Sequence, residues 1–340
     1  MNILIVKTSS LGDILQTFNV AKYLKKKFVN VNIDWVVEKP FLEIVSNNSN
    51  INEVIVIDSK EWRKNFLKKK NIYEFLTFKK NLKKKYYDIV FDLQGNTKSS
   101  MVTFLSNSSS KVGFSKKCVK EWPNLLFTNK KIEVDTSLNM RLQYLNLVQK
   151  HFLDENQSDF IDKKRKVLSI DKRINVMVCP GSKWENKQLS YETLSGFLHL
   201  ISKNLNVYFS IIWGSPEEKI VAEKLKNELS YCEVLEKQTL AHLKEKMDKM
   251  DIIISMDSAP LHLLDASKTP TFSIFGPTKA EVFKPLGSNH YFYQGSCPYE
   301  IKFEKVCPRL RSCQTGLCMK SIKHEDLYNL FISIFKKDLV

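Results

Sequence analysis

The chain has 340 residues, of which 43% are hydrophobic, and its 53 Lys and Arg against 37 Asp and Glu leave a formal net charge of +16. That length and apolar share suit two packed domains rather than a disordered or fibrous chain. The charge asks for an acidic partner such as nucleic acid, an anionic membrane or a phosphorylated substrate, yet no zinc-finger spacing, RNP-like aromatic motif or helix-turn-helix signal is present.

Ile3 to Val6 is a short apolar run of the kind a fully buried parallel strand needs. Lys7 to Gly12 supplies a turn of small residues, and from Asp13 the pattern is helical, with Ile14, Phe18, Ala21 and Tyr23–Leu24 on one face. A carboxylate therefore sits where a buried strand hands over to a helix, the place where open α/β sheets bind ligands. Asp is also a favoured helix cap, so both roles stay open for Asp13. No run reaches transmembrane length, and Met1–Val6 is too short and too soon followed by polar residues for a signal peptide, so a soluble, cytoplasmic protein is expected.

Further strand-like runs at Ile33–Val37, Val54–Ile57 and Asp88–Leu93 alternate with helical stretches, which argues for a doubly wound parallel sheet. Between them, residues 60–85 hold eleven Lys or Arg and only Glu61 and Glu74, with Trp62, Phe66, Tyr73, Phe75 and Phe78 interleaved. Such a run is either a solvated helix face or a surface for an anionic partner. Asp92 to Ser100 makes a second polar rim after the fourth strand, with Thr97 as the expected helix cap. Gln94 and Lys98 could bind hydroxyls or carboxylates there, or support the Asp13 loop. A helix over residues 137–150 is expected to close this domain, and the polar residues 152–173 read as a linker.

A new sheet begins at Ile174–Val178. The loop Cys179-Pro-Gly-Ser-Lys-Trp-Glu-Asn-Lys187 has the parts of a diphosphate site: Gly181 for close backbone approach, the Ser182 hydroxyl, and the cations Lys183 and Lys187. It is neither a Walker A sequence nor a GxGxxG. Val207 to Trp213 is the next strand, and Glu217 and Glu218 follow in ordinary helix-start chemistry. Asp251 to Met256 runs as a buried strand into Asp257–Ser258, and the helix starting near Ala259–Pro260 could bind diphosphate through its amides. Thr271 to Thr278 is a further strand ending in a polar turn. The cysteines spread along the chain argue against a secreted disulfide scaffold, and Cys297, Cys307, Cys313 and Cys318 contain no C-x-x-C pair to support zinc. Asp326 to Phe335 reads as a final amphipathic helix.

These stretches together resemble the bacterial lipopolysaccharide heptosyltransferases, most closely the type I enzymes. The resemblance is carried by Lys7-Thr-Ser-Ser-Leu-Gly-Asp13, Ile33-Asp-Trp-Val-Val-Glu38, Glu61-Trp-Arg-Lys64 and Asp92-Leu-Gln-Gly95 in the first half. In the second it is carried by Ser182 with Lys187, Trp213-Gly-Ser-Pro-Glu-Glu218, Asp257-Ser-Ala-Pro-Leu-His262 and Gly276-Pro-Thr278. Ala259 replaces a family glycine, and Gln238 stands where type I enzymes place a methionine near the adenine. The cysteine-rich tail resembles other branches, including type II.

The resemblance implies a GT-B fold, two Rossmann-like doubly wound domains facing a central cleft. Residues 1–160 would bind the acceptor and 172–322 the nucleotide sugar, and 323–340 would form a helix of the kind that often crosses back to the first domain. It implies inverting transfer of heptose from ADP-heptose to Kdo-lipid A, or a related anionic glycolipid, at the inner face of the cytoplasmic membrane, with the enzyme peripheral to it. No nucleic acid, cofactor or catalytic metal is implied. Carried over by position, Asp13 is the general base. Ser10, Gly12, Arg63, Lys64, Gln94 and Lys98 lie on the acceptor side. Ser182, Lys183, Lys187, Glu218, Asp257, Ser258, Ala259 and His262 hold the donor. The alternatives are a type II enzyme or another sugar-nucleotide transferase of the family and, from a different class, a basic nucleic-acid-binding protein.

Overall fold

Runs such as Ile3–Val6 and Ile252–Ile254 have no side of their own to expose, so they can form only strands covered on both faces. The computed structural model describes residues 1–65, 67–154, 173–266 and 269–335, and such strands sit at the centre of each of its two compact units, Met1–Gln157 and Ser158–Val340. Most of the expected 152–173 linker lies outside the described residues.

The first unit runs β1 (Asn2–Val6), α1 (Leu11–Lys27), β2 (Asn32–Glu38), α2 (Leu42–Ser46), β3 (Glu53–Ile57), α3 (Ser59–Lys64), α4 (Lys69–Lys84), β4 (Ile89–Asp92), α5 (Thr97–Leu105), β5 (Lys111–Phe114), β6 (Lys130–Ile132) and α6 (Met140–His151). Its strands are all parallel, in the order β3-β2-β1-β4-β5-β6. β1 lies between β2 and β4, with Ile3 opposite both Ile33 and Ile89, and Ile3 to Val6 are fully buried.

The second unit runs β7 (Ile174–Cys179), α7 (Tyr191–Asn204), β8 (Val207–Ile211), α8 (Pro216–Glu228), β9 (Cys232–Val234), α9 (Leu240–Lys249), β10 (Ile252–Met256), α10 (Ala259–His262), β11 (Thr271–Phe275), α11 (Ala280–Phe283), β12 (His290–Gln294), α12 (Leu317–Lys320) and α13 (His324–Phe335). The order is β12-β11-β10-β7-β8-β9, again parallel throughout. Counted within its own unit, each sheet therefore has the order 3-2-1-4-5-6 of a doubly wound dinucleotide-type fold. Each has its switch point between its first and fourth strands, β1/β4 and β7/β10, where a crevice opens beyond the carboxyl ends.

The final helix places Leu327, Phe331 and Phe335 in the second unit's own core. The Phe331 ring lies 5.7 Å from that of Phe197 on α7 and 5.5 Å from that of Phe272 on β11. Its apolar face is thus covered within the second unit, and residues 336–340 lie outside the described part. β5, β6, β9 and β12 were not legible in the sequence. β6 is only Lys130-Lys131-Ile132, and β9 and β12 are likewise edge strands, whose pairing is set by the neighbouring strand more than by their own pattern.

Candidate active site

In the first unit, β1 and β4 end side by side, with Val6 opposite Asp92. Asp92 is fully buried. Its carboxylate accepts from the amides of Gln94 (3.1 Å) and Gly95 (2.9 Å), the Thr103 hydroxyl (3.0 Å) and the Asn124 side-chain amide (2.6 Å). Burial pushes its pKa up. Every direction of this carboxylate is used in folding the turn, where Gly95 takes φ +68°, so Asp92 is a structural hub.

Gln94 is 4% exposed and accepts from the amides of Thr8 and Ser9, both at 3.2 Å. It supports the loop that carries Asp13. Lys98 is ion-paired to Glu38 at 2.6 Å, and Ser59 donates to the same carboxylate through its amide and hydroxyl. Thr97 is the first helical residue, not the cap. Asn96 caps α5, while the Thr97 amide and hydroxyl donate to Glu121. Arg63 and Lys64 stand exposed in the last turn of α3, and Gly12 is the second residue of α1.

α1 begins at Leu11, capped by Ser10, which makes Asp13 the third helical residue. Asp13 Oδ2 accepts from the Ser10 amide (3.2 Å) and hydroxyl (3.0 Å), the acidic half of a capping box. Its other oxygen, Oδ1, accepts from the Tyr144 hydroxyl at 3.2 Å and lies 3.8 Å from Lys120 Nζ and 3.9 Å from Lys7 Nζ. Burial alone would raise its pKa. The charges of Lys120 and Lys7, with the Ser10 bonds, outweigh that and hold the carboxyl well below the usual range, so it is ionised at neutral pH.

Lys7 is fully buried. Its Nζ donates to the Leu93 carbonyl (3.0 Å) and to the Tyr144 hydroxyl (2.8 Å), which in turn donates to Asp13. Burial pushes the Lys7 pKa down to about 7, against the pull of Asp13. Lys7, Lys120 and Tyr144 were not singled out in the sequence as site residues. Lys7 offered the one local signal, a lysine directly after a buried strand. Tyr144 lies 131 positions from Asp13 and offered none.

In the second unit the corresponding strands β7 and β10 pair with Cys179 opposite Ser255. Asp257, 5% exposed, receives Lys187 Nζ and the Thr278 hydroxyl on Oδ2, both at 2.6 Å, and His262 Nε2 stands 3.6 Å from Oδ1. Burial would raise this carboxyl, but Lys187 above all, then His262, hold it well below the usual range. The loops after β7, β10 and β11 are thereby tied to one anion. The Ser182 hydroxyl donates to the Asp257 carbonyl at 3.3 Å, and Lys183 is exposed.

Glu218 lies half-buried one helical turn into α8 and accepts from the Gly214 amide at 2.6 Å. It also lies directly over Gly181, where an added Cβ would come within 2.0 Å of the Glu218 carboxyl carbon. The missing side chain at Gly181, expected to admit a phosphate, makes room for Glu218. Ala259 opens α10 with negative φ, since Leu153 and Glu300 are the only described non-glycine residues with positive φ. The glycine-to-alanine departure is therefore compatible with an exposed amide at this turn. α10 is a single turn of four residues, so it offers local amides rather than a long dipole. Beside it, the Ser258 hydroxyl is buried with no partner among the described residues. Gln238 is half-buried in the loop between β9 and α9.

Cys297, Cys307, Cys313 and Cys318 line one cavity of about 270 Å³ as free thiols. Among the described residues no group of three or more His, Cys, Asp or Glu stands at metal-holding spacing.

The chain matches glycosyltransferase family 9 (heptosyltransferase) over residues 75–311. Lipopolysaccharide heptosyltransferase 1 of Campylobacter coli is 28% identical over 98% of this chain and 99% of its own length. The enzyme of the same name from Escherichia coli K12 is 25% identical over 85% of this chain and 92% of its own. Among solved structures, E. coli heptosyltransferase WaaC with ADP superposes with a TM-score of 0.77 at 23% identity, covering 99% of this chain and 100% of that one. E. coli ADP-heptose LPS heptosyltransferase II gives a TM-score of 0.68 at 16% identity, covering 99% of each chain. The two structures speak to the fold, and the family match, which spans well over half of the sequence, decides membership: the chain belongs to glycosyltransferase family 9, the heptosyltransferases.

Proposed function

We propose that this glycosyltransferase moves heptose from ADP-heptose onto the inner core of Kdo-lipid A, or a related anionic glycolipid, with inversion at the anomeric carbon. The observation that carries the reading is the Asp13 carboxylate, ionised between Lys7 and Lys120 at the switch point of the first sheet. It is joined by relatives that share the heptosyltransferase 1 name over most of this chain's length.

In this reading Asp13 accepts the proton of the acceptor hydroxyl as that oxygen attacks. Ser10 and Tyr144 hold the carboxylate in place through the transfer. Exposed Arg63 and Lys64 face the acceptor's carboxylates or phosphates, while Gln94 and Lys98 shape the rim from behind.

On the donor side, Lys187 answers the charge building on the departing diphosphate, oriented for this by Asp257. Ser182, Lys183 and His262 line the same diphosphate. The unspent Ser258 hydroxyl and the amides of the Ala259 turn add donors. Glu218 is the bidentate acceptor for the ribose hydroxyls. No metal or cofactor takes part in this reading. E. coli WaaC has been solved with ADP and with ADP-2-deoxy-2-fluoro heptose, which supports the choice of donor. Among the described residues no helix is long and apolar enough to cross a membrane, and the enzyme would meet its lipid-linked acceptor as a peripheral protein at the inner face of the cytoplasmic membrane.

The test is incubation with ADP-heptose and Kdo-lipid A, followed by mass detection of a product heavier by one heptose. No adduct, or equal transfer from UDP-sugars, refutes the reading. The cysteine-rich tail favours a second reading, a type II enzyme, which would leave Kdo-lipid A untouched and act on an acceptor already bearing one heptose.

A further inference from the structure

The outward face of α4 is exposed among the described residues. Its inner face is fully engaged. Asn71, Phe78 and Leu82 are buried, and the Asn71 side-chain amide donates to the carbonyls of Asn65 (2.8 Å) and Glu61 (3.3 Å), tying the start of α4 to the end of α3. Trp62 packs on Phe75 at 5.7 Å and Phe78 at 5.5 Å, and its indole donates to Glu74 at 3.3 Å.

At 3.6 residues per turn, the side opposite Asn71, Phe78 and Leu82 carries Ile72, Tyr73 and Leu76, flanked by Lys69, Lys80, Lys83 and Lys84. These three are 41%, 72% and 54% exposed, and Leu67, just before the helix, is 87% exposed. Glu74, the one acid of α4, is turned toward Trp62 and Lys70. The outward face is therefore an apolar patch flanked along the helix by Lys69 on one side and Lys80, Lys83 and Lys84 on the other, with Tyr73 at its border beside a cavity that Glu53, Asp58 and Glu74 also line.

We infer that this face docks on an anionic lipid bilayer, with Ile72, Tyr73 and Leu76 entering the headgroup boundary and the lysines snorkelling to lipid phosphates. The charge selects this occupant: the four lysines repel a second copy of this chain, whose own net charge is +16, and match an anionic leaflet. Tyr73 suits the interfacial position, with an apolar ring and a polar tip. The helix runs back from the carboxyl end of β3 toward the start of β4, so its amino-terminal end, with Leu67, Ile72 and Tyr73, lies toward the sheet edge that carries Asp13. The inference deepens the proposed function by naming the surface that meets the membrane holding the acceptor. It rests on that reading only for the identity of the lipid cargo.

Flotation with phosphatidylcholine vesicles, with and without phosphatidylglycerol, tests it without donor or acceptor, so its outcome is independent of whether heptose is transferred. The wild type should float with the anionic vesicles and stay behind with the zwitterionic ones. The uncharged variant Ile72→Ser/Tyr73→Ser/Leu76→Ser should partition roughly tenfold less or weaker still. Lys80→Gln/Lys83→Gln/Lys84→Gln should lose partitioning in the same range and flatten its salt dependence. Melting temperature and ADP affinity, unchanged in both, show that the fold is intact. If the serine variant partitions like the wild type, the binding is diffuse attraction by net charge and the inference fails. It fails equally if the wild type ignores anionic vesicles.

Discussion

Asp13→Asn separates the two things the Asp13 side chain does. An asparagine can keep its carbonyl oxygen toward the Ser10 amide and hydroxyl, now at 3.2 and 3.0 Å, and so preserve the acceptor half of the capping box. Its amide group then faces the Tyr144 hydroxyl, which can turn to accept. The start of α1 survives, and only the anion between Lys7 and Lys120 is lost. If that anion takes the acceptor proton, kcat should fall by about 10²–10⁴, a rise of roughly 2.7–5.5 kcal/mol in the barrier. A residue that only caps would leave kcat where it is. The assay is steady-state heptose transfer with ADP release, alongside calorimetric ADP affinity, which should stay near wild type because the donor residues belong to the other unit. A kcat within threefold of wild type refutes the general-base assignment. Asp92 is then no refuge, since its four hydrogen bonds leave it nothing to offer a substrate.

Four other outcomes are expected. Gly181→Ala should weaken ADP binding about as much as Glu218→Ala, at least tenfold for loss of a charge-assisted bond, because the new methyl displaces the Glu218 carboxylate; calorimetry showing Gly181→Ala at wild-type affinity would break that link. Lys187→Ala should weaken ADP binding and also destabilise the fold, by about 3–5 kcal/mol, since it strands a buried Asp257; adding Asp257→Asn should recover stability in denaturant titration without recovering affinity. The depressed pKa of Lys7, about 7 in place of 10.5, makes burial of its charge a full penalty below pH 7. Between those values the unfolded chain binds more protons at this site, so stability rises with pH by up to about 1.4 kcal/mol per unit, and the wild type should gain on Lys7→Met between pH 7 and 9 in denaturant titration. EDTA should leave turnover unchanged, and a loss reversed by added Mg²⁺ would sink the metal-free mechanism.

The local chemistry of the chain was enough to determine several things about this protein. Apolar runs too short for helices and too continuous to alternate can only be covered strands, and their alternation with helical periods dictates two doubly wound units. Polar loops at the carboxyl ends of β1, β4, β7 and β10 then place Asp13, Asp92, Ser182 and Asp257 at the two switch points, since that much follows from chain order. The short edge strands escaped this reasoning: three residues such as Lys130-Lys131-Ile132 carry no period, and the neighbouring strand makes them strands.

Tertiary structure alone decided what each side chain at those edges is able to do. Gln94 and Asp92 could have faced a substrate, and the fold turned both inward to hold loops. Gly181 looked like room for a phosphate and proved to be room for Glu218. Asp13 is ionised because Lys120, from a distant stretch, and Lys7 converge on one oxygen while Ser10 holds the other. Asp257 is ionised because Lys187 arrives from another loop and His262 stands beside it. A carboxylate's charge depends on distances of a few ångströms to groups that can lie far along the chain, as Lys187 lies 70 positions from Asp257, and no local pattern of residues encodes those distances.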